Sequence, residues 1–166
     1  YSKNGIRLVT SGVRRSPPDC LDPKIHHANL LPSILAKIQA NAAGADDAIM
    51  LDLRGFIAET NATHLFIVVG GRVLTPTLLA CPEGITRRTV LEICSARSIE
   101  SEVRDLSLTE LYRADEAFCS GTLGELAGVT WVDGRQIGDG NIGPVTRRLS
   151  ALYAEQTATG GTRVVG

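Results

Sequence analysis

The sequence predicts a mixed α/β fold: a largely antiparallel or mixed sheet that curls into a barrel-like core, flanked by helices. Three observations carry this. Two hairpin signals, Gly70-Gly71 and Asp133-Gly134, sit between apolar strand-like runs, which excludes a pure strand–helix–strand repeat. Short apolar runs alternate with longer segments of helical period. The chain has 166 residues, 43% hydrophobic and 21% charged, enough for one buried core.

The elements follow in order. "GIRLVTSGVRR" reads as a strand and a basic turn. "SPPDCLDP", residues 16 to 23, reads as a loop, because three prolines remove backbone donors and fix φ. From Asn29 to Gly44, Leu31, Ile34, Leu35, Ile38 and Ala42 recur at helical steps and are expected to face the core. Asn29 is the expected N-cap, Pro32 fits the first turn, and Gly44 closes the helix. "DAIMLD" is a strand, Arg54-Gly55 a turn, and "FIAET" the return strand. "HLFIVV" and "RVLTP" flank Gly70-Gly71. "GITRRTVLEICSAR" becomes helical after Gly84, with Val90, Ile93 and Cys94 on one face. A strand "ESEVRDL", a short helix "SLTELYRA", a strand "EAFCSGT" and the hairpin "GVTWVDGRQI" follow. The last helix, "GPVTRRLSALYAEQT", is expected to turn Val145, Leu149 and Leu152 inward, ahead of a mobile tail.

Composition excludes several classes. A net charge of −1 and a pI of about 6.3 point away from nucleic-acid and membrane-surface partners. No apolar run reaches the ~18 residues of a membrane span. The four cysteines are widely spaced without a CxxC motif, and read as reduced thiols of a cytoplasmic protein. The chain begins with Tyr rather than Met, as a fragment would.

Four features carry chemistry. At 84 to 87, "GITR" starts a helix with the free N–H groups of Ile85 and Thr86 and the Thr86 hydroxyl, an arrangement suited to phosphate. At 120 to 124, "SGTLG" offers Gly121 and Thr122 as a second donor cluster at a strand end. The ordinary reading of each is a capped glycine turn. Glu59 ends an apolar strand, and a buried carboxylate there needs a partner; most glutamates face solvent instead. Lys24 follows a proline ahead of a helix, and is either a solvated charge or a placed nucleophile. His26 and His27 are adjacent and His64 lies on another element, a poor arrangement for one metal ion.

Taken in order, "PKIHHANLLPSILAK", "AIMLDLRGFIAET", "LFIVVGGRVLTP", "GITRRTV", "ADEAFCSGT" and "VDGRQIGDGNIGPVTRRL" resemble the class IV aminotransferases, the fold-type IV pyridoxal phosphate enzymes. The resemblance runs from about Arg7 to about Leu152. It implies a pyridoxal 5'-phosphate-dependent transaminase acting on branched-chain or other aliphatic amino acids and 2-oxo acids, as a homodimer. A lyase of the aminodeoxychorismate type and an inactive domain are the alternatives. The resemblance implies that Lys24 is the Schiff-base lysine and that Glu59 pairs with the pyridine nitrogen. It implies phosphate contacts from Ile85, Thr86, Gly121 and Thr122, and backbone donors to a substrate carboxylate from Leu123 and Gly124. Branched-chain members carry a tyrosine five residues after the lysine, where this chain has Asn29. Others have a shorter lysine-to-helix spacing, which leaves the register of Asn29 open. His64 stands where many members have asparagine. The implied layout is a linker and first strand over 1–23, the large cofactor-binding domain over 24–158, and a flexible tail over 159–166. The family's small N-terminal domain, which supplies an arginine to the cofactor phosphate, is expected to be absent from this chain.

Overall fold

The computed structural model describes residues 4–25 and 27–160. His26 lies outside the described residues, as do positions 161–166 of the expected tail. The first half runs β1 (Ile6–Arg14), α1 (Pro18–Leu21), a 3-10 turn (Pro23–Ile25), α2 (Leu31–Ala42), β2 (Asp47–Leu51), β3 (Ile57–Thr60), β4 (His64–Val69) and β5 (Arg72–Thr75). The second half runs α3 (Ile85–Ala96), β6 (Ser101–Val103), α4 (Leu108–Tyr112), β7 (Glu116–Gly121), β8 (Glu125–Val132), β9 (Arg135–Gln136) and α5 (Pro144–Thr159).

The strands form one mixed sheet in the order β3-β2-β1-β8-β7-β4-β5-β6, with β9 paired to β8. β1 is parallel to both β2 and β8, and β5 to β6; the other pairs are antiparallel. This order forces curvature. Four strands separate β3 from β4, so a flat sheet would hold them about 24 Å apart. Only Asn61, Ala62 and Thr63 join them, a reach of about 14 Å. The sheet therefore bends back on itself. The Ile57 N–H donates to the Leu106 carbonyl at 2.8 Å, tying the β3 edge to the segment after β6.

Alternation along the strands divides the core. Leu8, Ile49, Leu65, Ile67 and Leu74 fill the inside of the curl. Phe66, Val68 and Phe118 point outward, where Val90, Ile93, Cys94, Leu149 and Tyr153 of α3 and α5 cover them. The Phe66 and Phe118 rings stack with centroids 4.7 Å apart. The four cysteines are free, three of them buried.

Several local expectations are corrected. Residues 18–21 form one helical turn, because proline at the first position is already set at a helical φ. The N-cap of α2 is Leu30, and no side chain caps it, so Asn29 does not play that part. The inward face of α2 is Ala36 and Ala40, packed on Ala48 and Met50. Small residues let the helix sit close to the sheet. Leu31, Ile34, Leu35 and Ile38, expected in the core, face outward and are 44–58% exposed. On α5, Leu149 is buried as expected, but its buried companions are Thr146 and Tyr153, while Val145 and Leu152 are only partly covered. The same helix continues through Thr159, past the expected start of the tail.

Candidate functional site

One end of the curled sheet gathers groups from five segments. The β3–β4 connection is clamped by hydrogen bonds: the Thr63 N–H donates to Thr60 Oγ1 at 2.9 Å, and the two threonine hydroxyls lie 2.8 Å apart. This holds Glu59 and His64 at the same end. Glu59 is 4% exposed, and Arg15, just past β1, contacts its Oε1. Neither Glu59 Oε1 nor Arg15 Nε has a hydrogen-bond partner of good geometry among the described residues. The contact therefore balances charge and leaves the carboxylate with lone pairs to offer.

His64 stands between the carboxylate and a helix end. Its Nδ1 is 4.0 Å from Glu59 Oε2. On the other side the imidazole lies against Gly84, where any Cβ would collide with it. Gly84 also has φ +70°, so glycine is required twice over. Burial pushes the His64 pKa down to about 4, and the Arg87 and Arg15 charges push the same way. The imidazole is neutral at physiological pH.

Gly84 begins α3 with no side-chain cap, so the first N–H groups of the helix, at Ile85 and Thr86, are left for another acceptor. Arg87 is buried and donates to the Pro76 carbonyl at 2.9 Å, while Arg88 points to solvent near Glu92. Across the gap, β7 ends at Ser120 and Gly121. Gly121 is needed for close approach, since a Cβ there would come within 2.8 Å of Thr63 Cγ2. Cys81 is no nucleophile: burial pushes its thiol up to about 11, against the opposing pull of Arg87, Arg15 and Lys24.

Lys24, Glu59, His64, Thr86, Ser120 and Thr122 line one cleft of about 570 Å³, together with Ile85 and Gly121. That is the size of a small-molecule site. Lys24 occupies its rim. Its ammonium is 3.3 Å from the Asp22 carboxylate and 38% of its side chain is exposed. The Lys24 N–H and ammonium hold Asp22 below the ordinary carboxylate range. Lys37 lies elsewhere, with its ammonium on the Asp46 carbonyl and the Asp47 carboxylate. Asn29 does not line this cleft. It lines a neighbouring hollow of about 180 Å³ that shares Glu59. Leu123 is fully exposed, and Gly124 lines a separate groove between β8 and α5. Among the described residues no cluster of His, Cys, Asp and Glu could hold a metal ion.

Sequence reasoning did not assign Arg15, Ser120 or Arg87 to this site, and weighed His64 only as a metal ligand and a departure from asparagine. One signal was available. A carboxylate ending an apolar strand demands a cation, and the paired arginines of "VRRS" are near in the fold though 44 positions away.

The arrangement offers donors to an anion at the α3 and β7 ends, and a buried carboxylate to a protonated nitrogen. Comparisons with known proteins point to one family. The family model for amino-transferase class IV matches residues 1–132. The chain is 52% identical over 160 residues to branched-chain-amino-acid aminotransferase-like protein 2 of Arabidopsis thaliana, covering 96% of this chain and 29% of that one. It is 39% identical to a putative branched-chain-amino-acid aminotransferase of Methanocaldococcus jannaschii, covering 98% and 57%. The solved branched-chain amino acid aminotransferase of Thermobaculum terrenum, in its PLP form, superposes with a TM-score of 0.88 at 33% identity, over 92% of this chain and 51% of that one. The chain thus spans about half the length of the solved relative and less of the plant protein.

Proposed function

The chain belongs to the class IV aminotransferase family, and on that premise we propose that it forms the cofactor-holding part of a pyridoxal 5'-phosphate-dependent transaminase. The amino donor is a branched-chain or related aliphatic amino acid, and the acceptor is a 2-oxo acid. The observation that carries this reading is the single cleft shared by Lys24, Glu59, Thr86 and Thr122.

The residues fit the group. A phosphate monoester needs donors, and the uncapped α3 start, the Thr86 hydroxyl and the Gly121–Thr122 strand end supply them. A pyridine nitrogen held as a cation needs a carboxylate, and Glu59 is buried beside the same space. When bound, pyridoxal phosphate supplies an electron sink for the charge left by removal of the substrate α-proton. The protein's part is local. Glu59 would hold a proton on the ring nitrogen, and Arg15 balances the Glu59 charge. Lys24 would hold the cofactor through its amine, and its Nζ would carry the substrate α-proton. To do this Nζ must leave Asp22 and turn into the cleft. Leu123 and Gly124, just beyond Thr122, offer backbone N–H groups to the substrate carboxylate from the rim. Asn29, in the adjoining hollow, takes the place of the tyrosine of branched-chain relatives.

The reading includes a homodimer. Four large apolar side chains on the outer face of α2 form the kind of exposed patch that marks an interface. Sedimentation velocity of wild type against the Ile34→Glu/Ile38→Glu variant checks this; a dimer that persists in the variant rules out that face. The function itself is tested by incubating the protein with leucine, valine or isoleucine and 2-oxoglutarate. Formation of the matching 2-oxo acid is expected, and no turnover with any aliphatic donor contradicts it.

A further inference from the structure

We propose that Ser120 is a direct ligand of the bound phosphate, donating its hydroxyl from the strand side of the cleft while Thr86 donates from the helix side. This rests on the phosphate reading above.

Ser120 is fully buried, yet its Oγ has no hydrogen-bond partner among the described residues. A buried hydroxyl without a partner is unfavourable and uncommon, so it needs a reason. Its position gives one. Ser120 lies on the β7 face that also carries Phe118, and it pairs in register with His64 of β4. Moving along that face from Phe118, packing against α3 gives way to the open cleft, and Ser120 is the residue at that boundary.

Among the described residues none answers it. The cleft beside it is lined by the α3 N–H groups, which only donate, and by the Thr86 and Thr122 hydroxyls, which can donate to the same acceptor. His64 stands between Glu59 and the Gly84 turn and makes no hydrogen bond to Ser120 Oγ. The Glu59 carboxylate contacts Arg15 and makes no hydrogen bond to Ser120 Oγ. Several donors facing one space are complementary to an oxyanion with several acceptor oxygens. Ser120 therefore completes a set that the α3 start only begins. Its presence gives the cleft a donor on the sheet, which is the rigid side, as well as one on the helix.

The test uses the full chain and its Ser120→Ala and Thr86→Ala variants. Each is titrated with inorganic phosphate, with pyridoxal 5'-phosphate and with pyridoxal, and each ligand-free protein is melted. Ser120→Ala is expected to bind both phosphate ligands roughly tenfold or more weakly. Its pyridoxal affinity is expected to be unchanged, and its ligand-free melting temperature equal or higher, because an unpaired donor has been removed. Ser120→Cys, which keeps the volume but donates weakly, should behave alike. Four results overturn the inference. If Thr86→Ala weakens phosphate binding and Ser120→Ala does not, the role of Ser120 falls alone. If Ser120→Ala melts lower with phosphate affinity intact, the hydroxyl is structural. If pyridoxal binding falls equally, the damage is general. If wild type binds neither phosphate ligand, the phosphate reading falls with it.

Discussion

The two sides of the cleft are built differently. Glu59, His64 and Ser120 sit on paired strands and are 0–8% exposed. Their positions follow from the sheet and its three-residue connection. Lys24 sits on a single 3-10 turn between Asp22 and an uncapped helix start, exposed and ion-paired to a neighbour two residues away. On the proposed function the donors of the strand side are already in place, whereas Lys24 has to turn away from Asp22. Binding and chemistry should therefore separate under mutation, because different elements carry them.

The largest effect should come from the mobile side. Lys24→Ala should lower transamination by about 10²- to 10⁴-fold, the usual worth of a positioned proton-transfer group. Its affinity for inorganic phosphate should not change, since the donors lie on α3 and β7. Steady-state kinetics alongside phosphate titration checks both; a matching loss of phosphate affinity would erase the distinction between the two sides.

Next comes the Arg15–Glu59 contact. Arg15→Leu leaves a buried carboxylate alone and should destabilise the fold by roughly 3–5 kcal/mol. Adding Glu59→Leu should recover much of that loss in urea unfolding, because the isolated charge is what destabilises. A double variant no better than the single one would show that the guanidinium matters by its packing.

His64 predicts a pH dependence. Its pKa is about 4 when folded against 6.5 as the ordinary value. Between these the unfolded chain binds more protons than the folded one, so stability is full above pH 6.5 and falls as pH drops toward 4. The loss should reach roughly 3 kcal/mol by pH 4. His64→Asn should flatten that interval of the stability curve, measured by denaturant unfolding at stepped pH. An unchanged slope would mean that other groups set it.

The smallest effect belongs to Thr86. Thr86→Ala should weaken phosphate binding by about 1.5–3 kcal/mol, as expected for a hydrogen bond to a charged group. Ligand-free stability should barely move, because Gly84 rather than Thr86 occupies the cap position. A drop in the ligand-free melting temperature with affinity intact would mark Thr86 as a structural residue.

Much of this was legible in the sequence, for identifiable reasons. Gly70-Gly71 and Asp133-Gly134 specify hairpins through their positive φ, and both hairpins are present. The face of α3 followed from its period, because only one of its faces is apolar. The face of α2 did not. That helix has two apolar faces, and the close packing of Ala36 and Ala40 over Ala48 and Met50 decides between them; that distance is set by the sheet, not by the helix. At the site, Glu59, Thr86 and Thr122 were named because strand ends and helix starts leave local signals, and they line one cleft. Arg15 and Ser120 were missed because their meaning depends on pairings across the sheet: Arg15 with Glu59, and Ser120 with His64. A single serine in a strand carries no mark of being unpaired until its neighbours are known. Leu123 and Gly124 were named from the family resemblance alone; Leu123 is fully exposed and Gly124 lines the groove between β8 and α5.

The central claim is that this cleft holds pyridoxal 5'-phosphate with Lys24 as the bonded amine. The most direct measurement is borohydride reduction of the protein saturated with pyridoxal 5'-phosphate, followed by peptide mass mapping. The account predicts one phosphopyridoxyl adduct, on the peptide that contains Lys24. An adduct on Lys37 instead, or none while the cofactor is demonstrably bound, would contradict it.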